Sequence, residues 1–187
     1  MYNSTIGYAS KLIKGSIVFS IIIFISLSQL MTITSIFSLV WKYEILLNEH
    51  VPFFREFSIY ALFIAILIIG VLYSSISSSY IFSKNSRMFS TLRIFGATKI
   101  AIRKLAILIS LLYPLVSFLI CIIEMLILYL RYQSYILTLV EISDVINGAY
   151  IVLLANAFLT IGFMIGAFIS NSILLNKDPY KDLRGTL

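Results

Sequence analysis

Four apolar runs set the hydropathy pattern of this 187-residue chain. Residues 15–41, 57–83 and 145–176 carry no charged side chain, and residues 105–130 carry only Glu124. Each run exceeds the roughly 20 residues that cross about 30 Å of hydrocarbon. The pattern therefore predicts an all-α integral membrane protein with four transmembrane helices. Between the spans lie a lead-in at 1–14, a loop at 42–56, a connector at 84–104, a loop at 131–144 and a tail at 177–187. The runs are longer than a perpendicular crossing needs, so tilt or helix extending past the bilayer is expected. The first run is too long for a signal-peptide core, and Ser38-Leu39-Val40-Trp41 offers no small-residue cleavage pattern, so it stays as an anchor. Ahead of it, Ile6, Ala9, Leu12 and Ile13 can share one face beside Lys11 and Lys14.

Periodicity changes in the connector. Phe89, Leu92 and then Ile94 or Phe95 recur at three- and four-residue spacing, while Arg87, Ser90 and Arg93 fall on other faces. Gly96 suits the left-handed position that ends a helix. Thr98 is then the expected N-cap of the next helix. The expected form is helix, break, helix, with a short cytoplasmic helix along the membrane between spans two and three. A loop that served only as a topology signal would explain neither the apolar spacing nor the glycine.

Composition supports the membrane reading: 60% of residues are hydrophobic and 12% charged, with a mean hydropathy of +1.03. Lys11, Lys14, Lys84, Arg87, Arg93, Lys99, Arg103, Lys104, Lys177, Lys181 and Arg184 flank one side, against Lys42, Arg55 and Arg131 on the other. The excess of Lys and Arg predicts that both termini and the connector face the cytoplasm of a plasma (cell) membrane. The net charge of +6 is then a topology signal, and nucleic acid is not an expected partner. Most acidic residues (Glu44, Glu49, Glu56, Glu141 and Asp144) fall on the opposite side, beside aromatics Tyr43, Phe53, Phe54, Tyr132 and Tyr135 of an interfacial belt. The lone Cys121 excludes an intrachain disulfide.

The residues Leu92-Arg93-Ile94-Phe95-Gly96-Ala97-Thr98 resemble a hallmark of the FtsX-like permease family, the lipoprotein-releasing and macrolide-exporter type. That hallmark is Leu-Arg-x-hydrophobic-Gly-Ala-Ser/Thr between the second and third spans. A second likeness is Pro-x-x-x-Leu-Arg after the last span, here Pro179, Leu183 and Arg184. The chain departs from the pattern twice. Met88 stands where the family usually has Glu, and the 42–56 loop replaces a sizeable extracellular domain. The resemblance implies a permease subunit of an ABC transporter. A second permease chain, identical or related, and two ATPase subunits carrying ATP and Mg would complete it. Arg87, Phe89, Leu92, Arg93, Phe95, Gly96, Ala97 and Thr98 would form the ATPase-coupling segment. Within it, Phe89, Leu92 and Phe95 would be apolar anchors, and Arg87 and Arg93 would give charge complementarity.

Inside the spans several residues invite a role. Ser28, Gln29, Thr32 and Ser35 make span one polar, either for interhelical hydrogen bonds or as a wall facing a partner chain or an amphipathic substrate. Gly162 and Gly166, with Ser170 a turn further on, allow close helix approach, within the chain or at a subunit interface. Glu124 is the one ionisable group within a span. It invites proton or substrate coupling, or a structural role with Arg131, roughly 10 Å along the axis. Asn147, Asn156 and Asn171 read as interhelical donors, and Pro114 as a site for a kink. His50 is alone, so no metal site is expected. The chain has no Gly-x-x-x-x-Gly-Lys-Ser/Thr run and no catalytic constellation, so any ATPase is a separate chain. The expected function is an ATPase-coupled permease subunit moving or extracting an amphipathic peptide or lipid-like substrate. One alternative is a non-transporting signalling subunit that switches an external partner such as a cell-wall hydrolase. Another is a bacteriocin-immunity protein.

Overall fold

The structure is a computed structural model, and it describes Gly7 and residues 17–47, 58–139 and 142–180. Five helices follow one another: α1 (Ile17–Leu47), α2 (Ser58–Lys84), α3 (Ser86–Ile94), α4 (Lys99–Leu139) and α5 (Ile142–Asn176). Gly7, Pro179 and Tyr180 are also helical, and no strand occurs among the described residues. The cause is physical: hydrocarbon offers no hydrogen bonds, so each apolar run must satisfy its own backbone. Four of the helices contain stretches long and apolar enough to cross a membrane, at Ile17–Tyr43, Tyr60–Lys84, Lys99–Ser134 and Ile146–Asn176. They fit a four-span membrane protein.

The helices overrun the apolar runs. α4 has 41 residues, about 60 Å at 1.5 Å per residue, so it extends well past the hydrocarbon. Residues 99–104, placed with the connector by hydropathy, are its first turns, and most of the 131–144 loop is helical too. No glycine interrupts Thr98 to Leu139, and long cationic side chains can reach the headgroups from a continuing helix. Pro114 lies inside α4, and the helix continues through it.

Contacts fix the directions. On α1 and α4, Ser20 and Phe24 meet Tyr113 while Ser28 and Thr32 meet Glu124. Sequence number rises together on both, so these helices are parallel. On α2 and α5, Val71 faces Gly162 and Ser75 faces Gly166, again parallel. α4 follows α2 in the chain, yet it packs on α1 and α5 rather than on α2. The connector therefore joins two spans that are not neighbours.

Aromatic and cationic side chains mark both ends. Trp41 stacks on Phe63 at 5.5 Å and lies 5.8 Å from Tyr60, while the Lys42 ammonium sits 5.2 Å from the Tyr150 ring. At the other, basic end, the Lys84 ammonium lies 3.7 Å above Phe19, whose edge meets Tyr80 at 5.3 Å. The lead-in apart from Gly7, the loop residues His50, Pro52, Phe53 and Phe54, and the tail residues Leu183 and Arg184 lie outside the described residues.

Candidate functional site

Two arrangements carry polar chemistry: a network inside the spans, and the connector at the basic end. The network joins residues that the sequence offered separately. Glu124 of α4 turns to α1, where Oε1 accepts from Gln29 Nε2 at 2.8 Å and Ser28 Oγ at 3.4 Å, and Oε2 accepts from Thr32 Oγ1. The structural partner expected for it, Arg131, instead lies beside the Tyr132 ring at 5.7 Å. The reason is spatial, because α1 presents three donors within hydrogen-bond reach of the carboxylate. Thr32 precedes Trp41 by nine residues, about 14 Å of helix, so the carboxylate lies well inside the aromatic end.

The network continues along α1. The Ser35 hydroxyl bonds the Met31 carbonyl at 2.6 Å and lies 3.9 Å from Cys121 Sγ. Asn156 of α5 donates to Ser35 Oγ at 2.8 Å and to the Val152 carbonyl at 2.9 Å. Ser28, Thr32, Ser35 and Asn156 are all buried. The interhelical-donor reading of Asn156 therefore holds. A layer nearer the basic end was not foreseen: buried Tyr113 bonds Ser20 at 2.8 Å and stacks between Phe24 and Phe163. Its only sequence signal was a tyrosine placed in mid-span, next to Pro114.

Gly162 and Gly166 face α2 of the same chain. A Cβ on Gly162 would lie 2.9 Å from the Val71 carbonyl oxygen, and one on Gly166 would lie 2.8 Å from Ser75 Cα and collide with its carbonyl. The α2 backbone already occupies that face, so it is no subunit interface in this structure. The matching stripe on α2, Gly70, Ser74 and Ser78 at four-residue spacing, is buried and was overlooked in the sequence. Ser74 donates to the Leu159 carbonyl at 2.7 Å and Ser79 to the Gly166 carbonyl at 3.2 Å.

The connector is closed by local hydrogen bonds. α3 ends at Phe95, and Gly96 follows with φ +89°. Gly96 N–H bonds the Arg93 carbonyl at 3.1 Å, and Ala97 N–H bonds the Leu92 carbonyl at 2.9 Å. This pair of bonds is a Schellman motif, and the two residues of its apolar positions, Leu92 and Ala97, both pack on the core. Two residues on, the Thr98 hydroxyl accepts from Ala101 N–H at 3.2 Å and caps α4. Both local expectations hold.

The face of α3 is a different matter. Phe89, 3% exposed, stacks on Phe82 at 5.7 Å, and Leu92 packs against the core. Met88 does likewise. Arg93 reaches α5 and donates to the Leu174 carbonyl at 3.2 Å and the Lys177 carbonyl at 2.8 Å. It satisfies carbonyls that the helix end leaves unpaired, at the negative end of the helix dipole. Phe89, Leu92 and Arg93, expected to face a partner, are thus engaged within the chain. Phe95 differs because it is the cap residue, where the chain is leaving the helix; it is 83% exposed. Arg87, Thr98, Lys99, Ile100, Arg103 and Lys104 are exposed with it. Pro179 is partly buried beyond α5. No family model matches the chain, and no curated protein or solved structure matches it.

Proposed function

We propose that the chain is the permease subunit of an ATPase-driven membrane machine, with α3 and its turn as the coupling element. One observation carries this reading: the connector is a folded part held on several sides. It grips α2 through Phe89 on Phe82, α5 through Arg93, and runs into α4 through the Thr98 cap. A displacement of α3 would therefore load three spans at once. A loop serving only topology needs no such attachments.

The resemblance of residues 92–98 to the FtsX-like permease pattern supports the same reading. In this reading the exposed side chains of the connector are the ones that meet the motor. Phe95 is an exposed apolar knob, and Arg87 on α3 and Ile100, Arg103 and Lys104 in the first turns of α4 are exposed as well. An apolar anchor on a segment with exposed basic side chains suits a groove with acidic residues on a nucleotide-hydrolysing partner. In this reading the basic end is cytoplasmic, ATP and Mg are bound by the partner, and a second permease chain completes the complex. The substrate class is an amphipathic peptide or lipid-like molecule.

The decisive experiment is co-purification of a P-loop ATPase from native membranes with wild-type chain and with the Phe95→Asp, Arg87→Glu variant. Both side chains are exposed, so the variant keeps the fold, and loss of the ATPase is expected. Equal recovery of the ATPase would remove the proposal.

A further inference from the structure

The network between α1 and α4 has more acceptors than donors to meet them. Glu124 receives the Thr32 hydroxyl and the Gln29 amide, both neutral, while the Ser28 hydroxyl, 3.4 Å away, also bonds the nearer Ile25 carbonyl at 2.9 Å. A carboxylate offers about four lone-pair positions, so at least one remains open on Oε2, and no cationic side chain is paired with it among the described residues. At the far end, Asn156 gives its two N–H groups to Ser35 and Val152, and its Oδ1 has no partner among the described residues. Ser35 gives its hydroxyl to the Met31 carbonyl and has no proton to return. Among the described residues the network's one buried unpartnered atom is thus an acceptor, and every group bonded to the carboxylate is neutral.

Charge and access narrow what can supply it. Glu124 is the only charged residue in the four apolar runs, so a single positive charge balances the site, whereas a divalent ion would leave a surplus in hydrocarbon. The groups around the carboxylate are two hydroxyls and an amide, which are hard oxygen ligands once their lone pairs turn inward. Ser28 and Thr32 are buried, so the space beside the carboxylate suits a small ion better than a bulky organic ammonium. We propose that Glu124, Ser28, Gln29 and Thr32 form an intramembrane site for a monovalent inorganic cation, sodium or potassium. The ion is bound by the carboxylate, the two hydroxyl oxygens and Gln29 Oε1. Bound there, it neutralises the carboxylate and ties α1 to α4. The site is independent of the ATPase coupling, and either can fail alone.

The test uses the purified full-length chain in detergent, without any ATPase. NaCl or KCl replaces choline chloride at constant total salt while thermal unfolding is followed. The midpoint is expected to rise by about 8 °C as the favoured ion reaches about a hundred times its Kd. Glu124→Gln, which keeps size and hydrogen bonding but removes the charge, should abolish the rise. Equal midpoints in all three salts would overturn the site and leave protonation or water to satisfy the carboxylate. An unchanged rise in Glu124→Gln would overturn it as well. Should that variant not accumulate, broadening of the sodium NMR line and its reversal by potassium are measured instead. Thr32→Val is then expected to weaken half-saturation by about tenfold, and an unchanged value rejects the proposal.

Discussion

Two parallel helix pairs hold this bundle together by different means. Between α2 and α5, glycine and serine bring backbones into contact, and among the described residues no charged group takes part. Between α1 and α4, larger side chains meet through Tyr113, Glu124 and the hydroxyls of α1. Lipid is as apolar as the helices, so burying apolar surface gives little drive for association in a membrane. Close van der Waals approach and polar contact are what remain, and each pair relies mainly on one of them. The first arrangement is rigid because backbone cannot yield. The second can rearrange, since hydroxyls rotate and an ion or proton can enter. The bundle therefore has one fixed seam and one adjustable seam.

Substitutions can break this contrast in graded steps. Gly166→Val should be the most damaging, costing about 3 kcal/mol or more, because its side chain would overlap the Ser75 backbone rather than a movable side chain. Reversible unfolding in mixed micelles measures it, and a loss well under half that size would mean the seam can open. Tyr113→Phe on the other pair should cost about 1 kcal/mol by losing the Ser20 bond while keeping both ring contacts. A loss as large as that of Gly166→Val would show the polar seam to be no softer. Ser74→Ala should cost only about 0.6 kcal/mol, since backbone proximity survives it. Smallest of all, Phe95→Ala should change stability by less than about 0.5 kcal/mol, being exposed. Its effect belongs in ATPase recovery instead.

The spans and the connector's breaks were legible because each is local. An uncharged run of apolar residues must be helix in lipid, whatever surrounds it. Gly96 and Thr98 act on backbone groups within five residues of themselves, so their roles followed from sequence alone. The candidate residues were also visible singly: Glu124 as a lone charge, the α1 hydroxyls as a polar stripe, the glycine pair as a spacing.

What tertiary structure decided is which of these meet. Glu124 takes partners more than ninety residues away in sequence, rather than Arg131 on its own helix. Arg93 caps a helix end more than eighty residues on, and Phe89 and Leu92 turn inward while Phe95 turns out. Periodicity says which side chains share a face, but not what that face touches. In a membrane protein the ambiguity is deepest, because lipid, a partner and the chain's own core all present apolar surface. Only the packing of the helices assigns each face to one of them.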